Sequence, residues 1–240
     1  MKTENSTKPK KWKKILKYLF IGLFSLIVIL LVWNWLWINS GSNRWELKMD
    51  KNGVKIYTLK SPGDKFVKFK SSMRGNYTLS QLAASHIIDH NLETCKEWFP
   101  NCIECRTLEP FDTLKLYDVT MWTLTFPGPF SSRELLIKTM VSQNKDKVVT
   151  IDVVGVPNAI APTDKIVRVE RMHNVWKFTP LGNGQSECEC LQDIDLGGFF
   201  PYFLMNMAGL DATYTFMHDE LPKFLDKDRY RNAHFAFIKE

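Results

Sequence analysis

The sequence predicts an α+β protein: a curved antiparallel sheet of consecutive strands, closed by one long C-terminal helix and preceded by one membrane-crossing helix. Three observations carry this. Residues 18–38 read YLFIGLFSLIVILLVWNWLWI, without a charged side chain. From Trp45 to Leu196, runs rich in β-branched and aromatic residues are separated by turn residues, the composition of strands. After Pro201, Phe203, Met207, Leu210, Tyr214, Met217, Leu221 and Phe224 follow at steps of four and three, which is one stripe on an α-helix.

The first helix is long enough to cross a hydrocarbon layer of about 30 Å. Trp33, Trp35 and Trp37 mark its far end, where amphipathic rings favour the interface. Lys2, Lys8, Lys10, Lys11, Lys13, Lys14 and Lys17 precede it, opposed only by Glu4. That charge predicts a basic cytosolic tail (1–17), a transmembrane helix (18–38), a polar linker (39–44) and an exported, tethered domain. A cleaved signal peptide is the alternative, but the run is too long for one and no A-x-A site follows. The chain carries 32 Lys+Arg and 26 Asp+Glu; removing residues 1–40 leaves 25 of each. The basic excess therefore belongs to the anchor, and a neutral domain without a basic stripe argues against nucleic acid as a partner.

Within the domain, Val54–Leu59 and Phe66–Ser72 read as strands around the turn Ser61-Pro62-Gly63-Asp64. Thr78 caps a helix carrying Leu82, Ile87 and Ile88, because its hydroxyl accepts from a free amide of the first turn. A short helical piece spans Leu92–Trp98 and stops at Pro100. Longer strands follow over Leu114–Phe126, Glu134–Ser142, Val148–Val154 and Ile166–Phe178. After the turn Pro180–Gly184, the last strand covers Glu187–Leu196. There Glu187, Glu189, Asp193 and Asp195 alternate with Cys188, Cys190, Ile194 and Leu196, so the acids face water and the thiols face inward with Gln192. Pro222 ends or kinks the C-terminal helix near residue 221. Residues 227–240 are expected to form a loose, charged tail.

Five cysteines, Cys95, Cys102, Cys105, Cys188 and Cys190, make no clean disulfide framework. One bridge among Cys95, Cys102 and Cys105 is open to an exported protein. Cys102-x-x-Cys105 lacks the second ligand pair of a zinc site. His86 and His90 stand four apart, as metal ligands on a helix do, but Ile87 occupies the place of the metalloprotease glutamate. A solvent-facing helix surface is the simpler reading, and no metal is expected. No G-x-S-x-G, phosphate loop or dinucleotide motif occurs. Asp118 has no evident base partner. No catalytic residue and no cofactor are assigned.

A sheet with a long C-terminal helix across its mouth is a helix-grip arrangement. Three segments carry a family resemblance: WELKMDKNGVKIYT at the start, FPGPFSSRELL with Pro127, Pro129, Arg133 and Glu134, and IVRVERMHNVWKFTPLGNGQSECECLQDIDLGGFFPYFLMNM at the end. Through them residues 45–226 resemble a START (steroidogenic acute regulatory-related lipid transfer) domain, of helix-grip (START / Bet v 1-like) fold. The Asp195-x-x-Gly198, Pro201 and Asn206 order is its most specific part. The resemblance implies a deep apolar tunnel holding one lipid under the C-terminal helix, beside a mobile loop.

The wall is then expected from Trp122, Leu124, Trp176, Cys190, Gln192, Phe199, Phe203, Met207, Leu210 and Tyr214. Gln192, Thr123 and Arg168 are the polar candidates. Val156 and Ile160 would gate it from the loop Gly155–Pro162, and Arg133–Glu134 would form a structural ion pair. A charge at Met207 is expected to abolish lipid retention. Three functions compete: a membrane-tethered lipid-binding or lipid-transfer protein holding a sterol, fatty acid or phospholipid; an enzyme acting on an apolar small molecule in the same cavity; and a lipid-responsive interaction protein. The expected partners are a lipid ligand and the membrane. The protein partner is left unnamed.

Overall fold

The structure, a computed structural model, describes residues 9–88, 90–198, 200 and 202–240, with backbone only at residues 9, 10, 203 and 204. The chain divides into two units: one up to Arg44 together with Lys60–Lys65, the other comprising Trp45–Leu59 and Phe66–Glu240. In the first, helix α1 runs over Pro9–Asn39. Its segment Lys11–Asn39 is long and apolar enough to cross a membrane, with mean hydropathy 2.7 in its most apolar window. Lys60 caps the last turn, donating to Ile38 O at 3.1 Å and Ser40 O at 3.2 Å. A cation there meets carbonyls that have no partner within the helix.

The second unit is built on one sheet. In chain order its strands are β1 (Glu46–Lys51), β2 (Val54–Leu59), β3 (Lys68–Gly75), β4 (Cys102–Asp112), β5 (Tyr117–Leu124), β6 (Arg133–Gln143), β7 (Val149–Gly155), β8 (Val167–Arg168), β9 (Arg171–Gly182), β10 (Gln185–Gln192) and β11 (Ile194–Asp195). They lie in the order β1-β2-β3-β10-β9-β7-β6-β5-β4, with β11 on β9 and β8 parallel to the start of β6. The expected alternation in β10 holds: Ser186, Cys188 and Cys190 are buried, and the glutamates between them are not.

The sequence pattern did not reveal β1 and β4. Both are edge strands, and almost all their residues are exposed or half-buried. β4 also bulges against β5 and contains Pro110. An edge strand buries little on either face, so it carries little alternation to read.

Helix α2 (Leu79–Ile87) begins at Thr78, whose Oγ1 accepts from Gln81 N at 3.0 Å. The Glu240 carboxylate accepts from the next free amides, Leu79 N at 2.7 Å and Ser80 N at 2.9 Å, the place where a helix favours negative charge. Helix α3 (Leu92–Trp98) is capped by Asn91 and Thr94 reciprocally. Its Cys95 is bonded to Cys102 at the head of β4, while Cys105 is a free thiol. The tail is not loose. After α5 (Leu221–Leu225) and α6 (Asp228–Arg231), Tyr230 and Ile238 are buried and Phe237 stacks on Phe111.

Helix α4 (Tyr202–Thr215) runs into a π-helical turn at Phe216–Glu220 before α5. That turn corrects the predicted stripe. Met217, Leu221 and Phe224 are buried as expected. Counting back from them by fours and threes assumes an unbroken α-helix. The π turn inserts about one residue, which rotates the preceding segment by about 100°. The face that α4 turns toward the sheet is therefore Met205, Gly209, Ala212 and Thr213, and Met207 is 73% exposed. Pro222 does not end the helix. It sits in the first turn of α5, directly after the π turn, and the helix continues to Leu225.

Replacing Cys95 and Cys102 by serine should lower the stability of the domain by about 2 kcal/mol, the entropy of closing so short a loop. Urea unfolding followed by circular dichroism measures it, and a reductant should do the same to the unaltered protein and nothing to the variant.

Candidate functional site

Between the sheet and α4 lies a cavity of about 490 Å³, within the range of small-molecule sites. Its wall follows the pleat. Thr120, Trp122 and Leu124 come from β5, Ile137 and Thr139 from β6, and Met172, Asn174 and Trp176 from β9; every second residue faces in. Gly209 brings α4 close to β3, since a Cβ there would lie 2.5 Å from the Phe69 ring.

The helix is held at both ends. At its C-terminal end Phe216 and Phe224 pack on Trp98, at 5.6 and 5.1 Å between ring centroids. At its entry, Arg133 is fully buried and donates to Leu196 O (3.2 Å), Gly197 O (3.0 Å) and Ser131 O. Its guanidinium lies 4.9 Å from the centre of the Phe200 ring and 5.5 Å from that of Phe126, a cation–π arrangement. Gly197 and Gly198 take φ of +65° and +60°, a conformation that side chains other than glycine's resist. Tyr202 Oη donates to Asp195, and Asn206 Oδ1 accepts from Val67 N at 3.0 Å.

Arg133 does not pair with Glu134. Glu134 instead binds Arg168, and both are buried. Arg168 also donates to Ile160 O (3.1 Å), Ala161 O (3.0 Å) and Pro157 O. It thereby fastens the loop 155–162, and does not face the cavity. Val156 and Ile160 are half-buried and lie outside the cavity wall.

Of the predicted wall residues, Trp122, Leu124, Trp176 and Gln192 line the cavity. Cys190 is packed in the core, where burial pushes its thiol pKa well up. Met207 points outward, and Leu210 packs against the core. Tyr214 Oη accepts from Asn52 of the β1–β2 turn at 2.9 Å. Phe199 lies outside the described residues, as does the Phe203 side chain. Thr123 donates to Glu104, away from the cavity.

The cavity's polar residues include two that the sequence pattern turned toward solvent. His86 is 8% exposed and lines the cavity between Trp98 (4.8 Å) and Trp176 (4.9 Å). Burial drives its pKa down to about 3, so it is neutral. Ser85 Oγ donates to Leu82 O at 2.8 Å and therefore accepts from His86 Nδ1, also at 2.8 Å. The proton on Nδ1 leaves Nε2 as a bare acceptor without a partner among the described residues. His90 Nε2 meets Asp118 Oδ2 at 2.9 Å, which supplies the base partner that Asp118 lacks in the sequence pattern. Among the described residues no cluster of metal-binding type occurs. The signal that could have found His86 was the apolar company of Ile87 and Ile88 on a short helix beside Trp98.

The START domain family model matches residues 38–225, more than three quarters of the sequence. The chain belongs to the START domain family. The STAR-related lipid transfer protein of Xanthomonas axonopodis has a similar structure, with TM-score 0.66 at 20% identity over 76% of this chain and 99% of that one. Human StAR-related lipid transfer protein 5 gives 0.60 at 16% identity, over 75% and 86%. An uncharacterized protein of Pseudomonas aeruginosa, PA1579, is 24% identical over 178 residues, covering 72% of this START protein and 83% of its own length.

The buried histidine makes stability depend on pH. The unfolded chain takes up a proton near the ordinary value of about 6.5, the folded one only near 3. Stability is complete above the former and falls as the pH drops between them, by about 1.4 kcal/mol per pH unit. Urea titrations at pH 7 and pH 5 should show that loss, and His86→Phe should remove it. Glu134→Gln strands the buried Arg168 charge and should cost about 3–5 kcal/mol. Hydrogen exchange at 157–161 should accelerate with it.

Proposed function

We propose that this START protein is a membrane-tethered lipid carrier that holds one apolar lipid between the sheet and α4 and leaves it chemically unaltered. The observation that carries the reading is the cavity itself: about 490 Å³ that the side chains of the sheet and of a doubly anchored helix do not fill. Its wall is mainly apolar and aromatic, with a few polar groups, as in sites that bind apolar molecules. Family membership points the same way.

The anchor is α1, inserted with its lysines on the cytosolic side. The Cys95–Cys102 bond supports an exported domain, because disulfides persist in oxidising compartments. Lipid enters at the base of β6, between the segment that leads into α4 and the loop 155–162. Arg133 and Glu134 are adjacent there and fasten one each.

Native mass spectrometry of the full chain, exchanged into amphipol, should show one lipid bound per protein and recovered unchanged. Recovery of a modified lipid would instead favour catalysis. Ala212→Phe places a ring in the cavity and should weaken retention by about tenfold, whereas Met207→Arg, on the outer face, should leave it unaltered. Protease added to spheroplasts of a bacterial host should digest the domain and spare a cytosolic marker; protection of the domain would reverse the orientation.

A further inference from the structure

We propose that the cavity selects an uncharged lipid whose head brings a hydroxyl proton to His86 Nε2 and an oxygen to Trp122 Nε1–H. This deepens the lipid-carrier reading and rests on it. Both side chains are more than nine-tenths buried, both line the cavity, and each carries a buried polar atom that no described protein group satisfies. Buried polar atoms without partners are rare in native proteins and point to something that completes them.

The two atoms are complementary in kind. Nε2 is an acceptor, because Ser85 holds the imidazole proton on Nδ1. The indole N–H is only a donor. An alcohol satisfies both, giving its proton to the histidine and receiving the indole hydrogen on its oxygen. One short stretch of chain touches both rings: Trp98 packs on His86 at 4.8 Å, and the next residue, Phe99, packs on Trp122 at 5.9 Å.

The electrostatics exclude an anionic head. Among the described lining residues there is no lysine or arginine. Glu220 stands in the wall and Asp118 behind His90, while Arg133, behind the Phe126 and Phe200 rings, is taken up by backbone carbonyls. A phosphate or carboxylate would therefore enter low-dielectric surroundings with no cation in the described wall, and its lone pairs would face the lone pair of Nε2. A pure hydrocarbon would fill the space and leave both polar atoms unsatisfied.

The test compares saturable, one-to-one retention of tritiated 1-hexadecanol, palmitate and hexadecane by the full chain in amphipol at pH 8. Hexadecanol should be held about tenfold better than either of the others. His86→Phe and Trp122→Phe should each bring it down toward hexadecane and leave hexadecane unchanged. Palmitate bound as well as hexadecanol overturns the proposal. So does hexadecane bound as well as hexadecanol, because solvent then serves the two atoms. Should a variant not fold, by its thermal melt, the three probes on the unaltered protein still decide. Failure of all three, hexadecane included, tells instead against the lipid-carrier reading.

Discussion

Everything in this domain depends on how α4 is held over the sheet: it touches β3 at Gly209 and leaves a cavity beside that contact. A helix left to pack on a sheet closes the gap with its own side chains, because unfilled space forfeits dispersion contacts on both sides. Here the helix is pinned at its ends. Trp98, Phe216 and Phe224 wedge one end with tilted, packed rings, and Arg133 binds the carbonyls of the entry loop at the other. Between the pins the inward face is, after Met205, small or polar: Asn206, Gly209, Ala212 and Thr213. The interior is left to a guest because the helix's own bulk points elsewhere.

Two adjacent residues at the start of β6 fasten two different segments of the chain. Arg133 reaches back to residues 196–197 and Phe200, while Glu134 reaches through Arg168 to the loop at 157–161. The parallel pairing of β6 with β8 sets the two in register, Arg133 against Val167 and Glu134 against Arg168. Buried charges of this kind need complete hydrogen bonding. The partners are mostly backbone carbonyls, so the charges order loops that few apolar contacts would hold.

Much of this was legible in the chain, for identifiable reasons. Val54–Leu59, Leu92–Trp98 and the Thr78 cap were readable because local chemistry determines them: alternation, a helical piece stopped by a proline, a hydroxyl before free amides. The alternation of Cys188 and Cys190 with glutamates named the buried face of β10, and Gln192 joined the cavity wall with it. The edge strands left no such trace. The lid residues Met207, Leu210 and Tyr214 were misplaced because a single π turn breaks the phase of a stripe that is regular in sequence. His86 and Asp118 were passed over because their partners, Ser85 aside, come from distant segments.

By itself, the sequence determined the apolar helix at the front, the neutral charge of the domain behind it, the antiparallel order of most strands and the family to which they belong. These are properties of composition, periodicity and short motifs, which neighbouring residues set together. Tertiary structure alone decided which cysteines are joined, which face of α4 turns inward, which carboxylate each buried arginine meets, and which polar atoms the cavity leaves without a partner. Each of these is a distance between residues far apart in the chain, and distance is what folding creates.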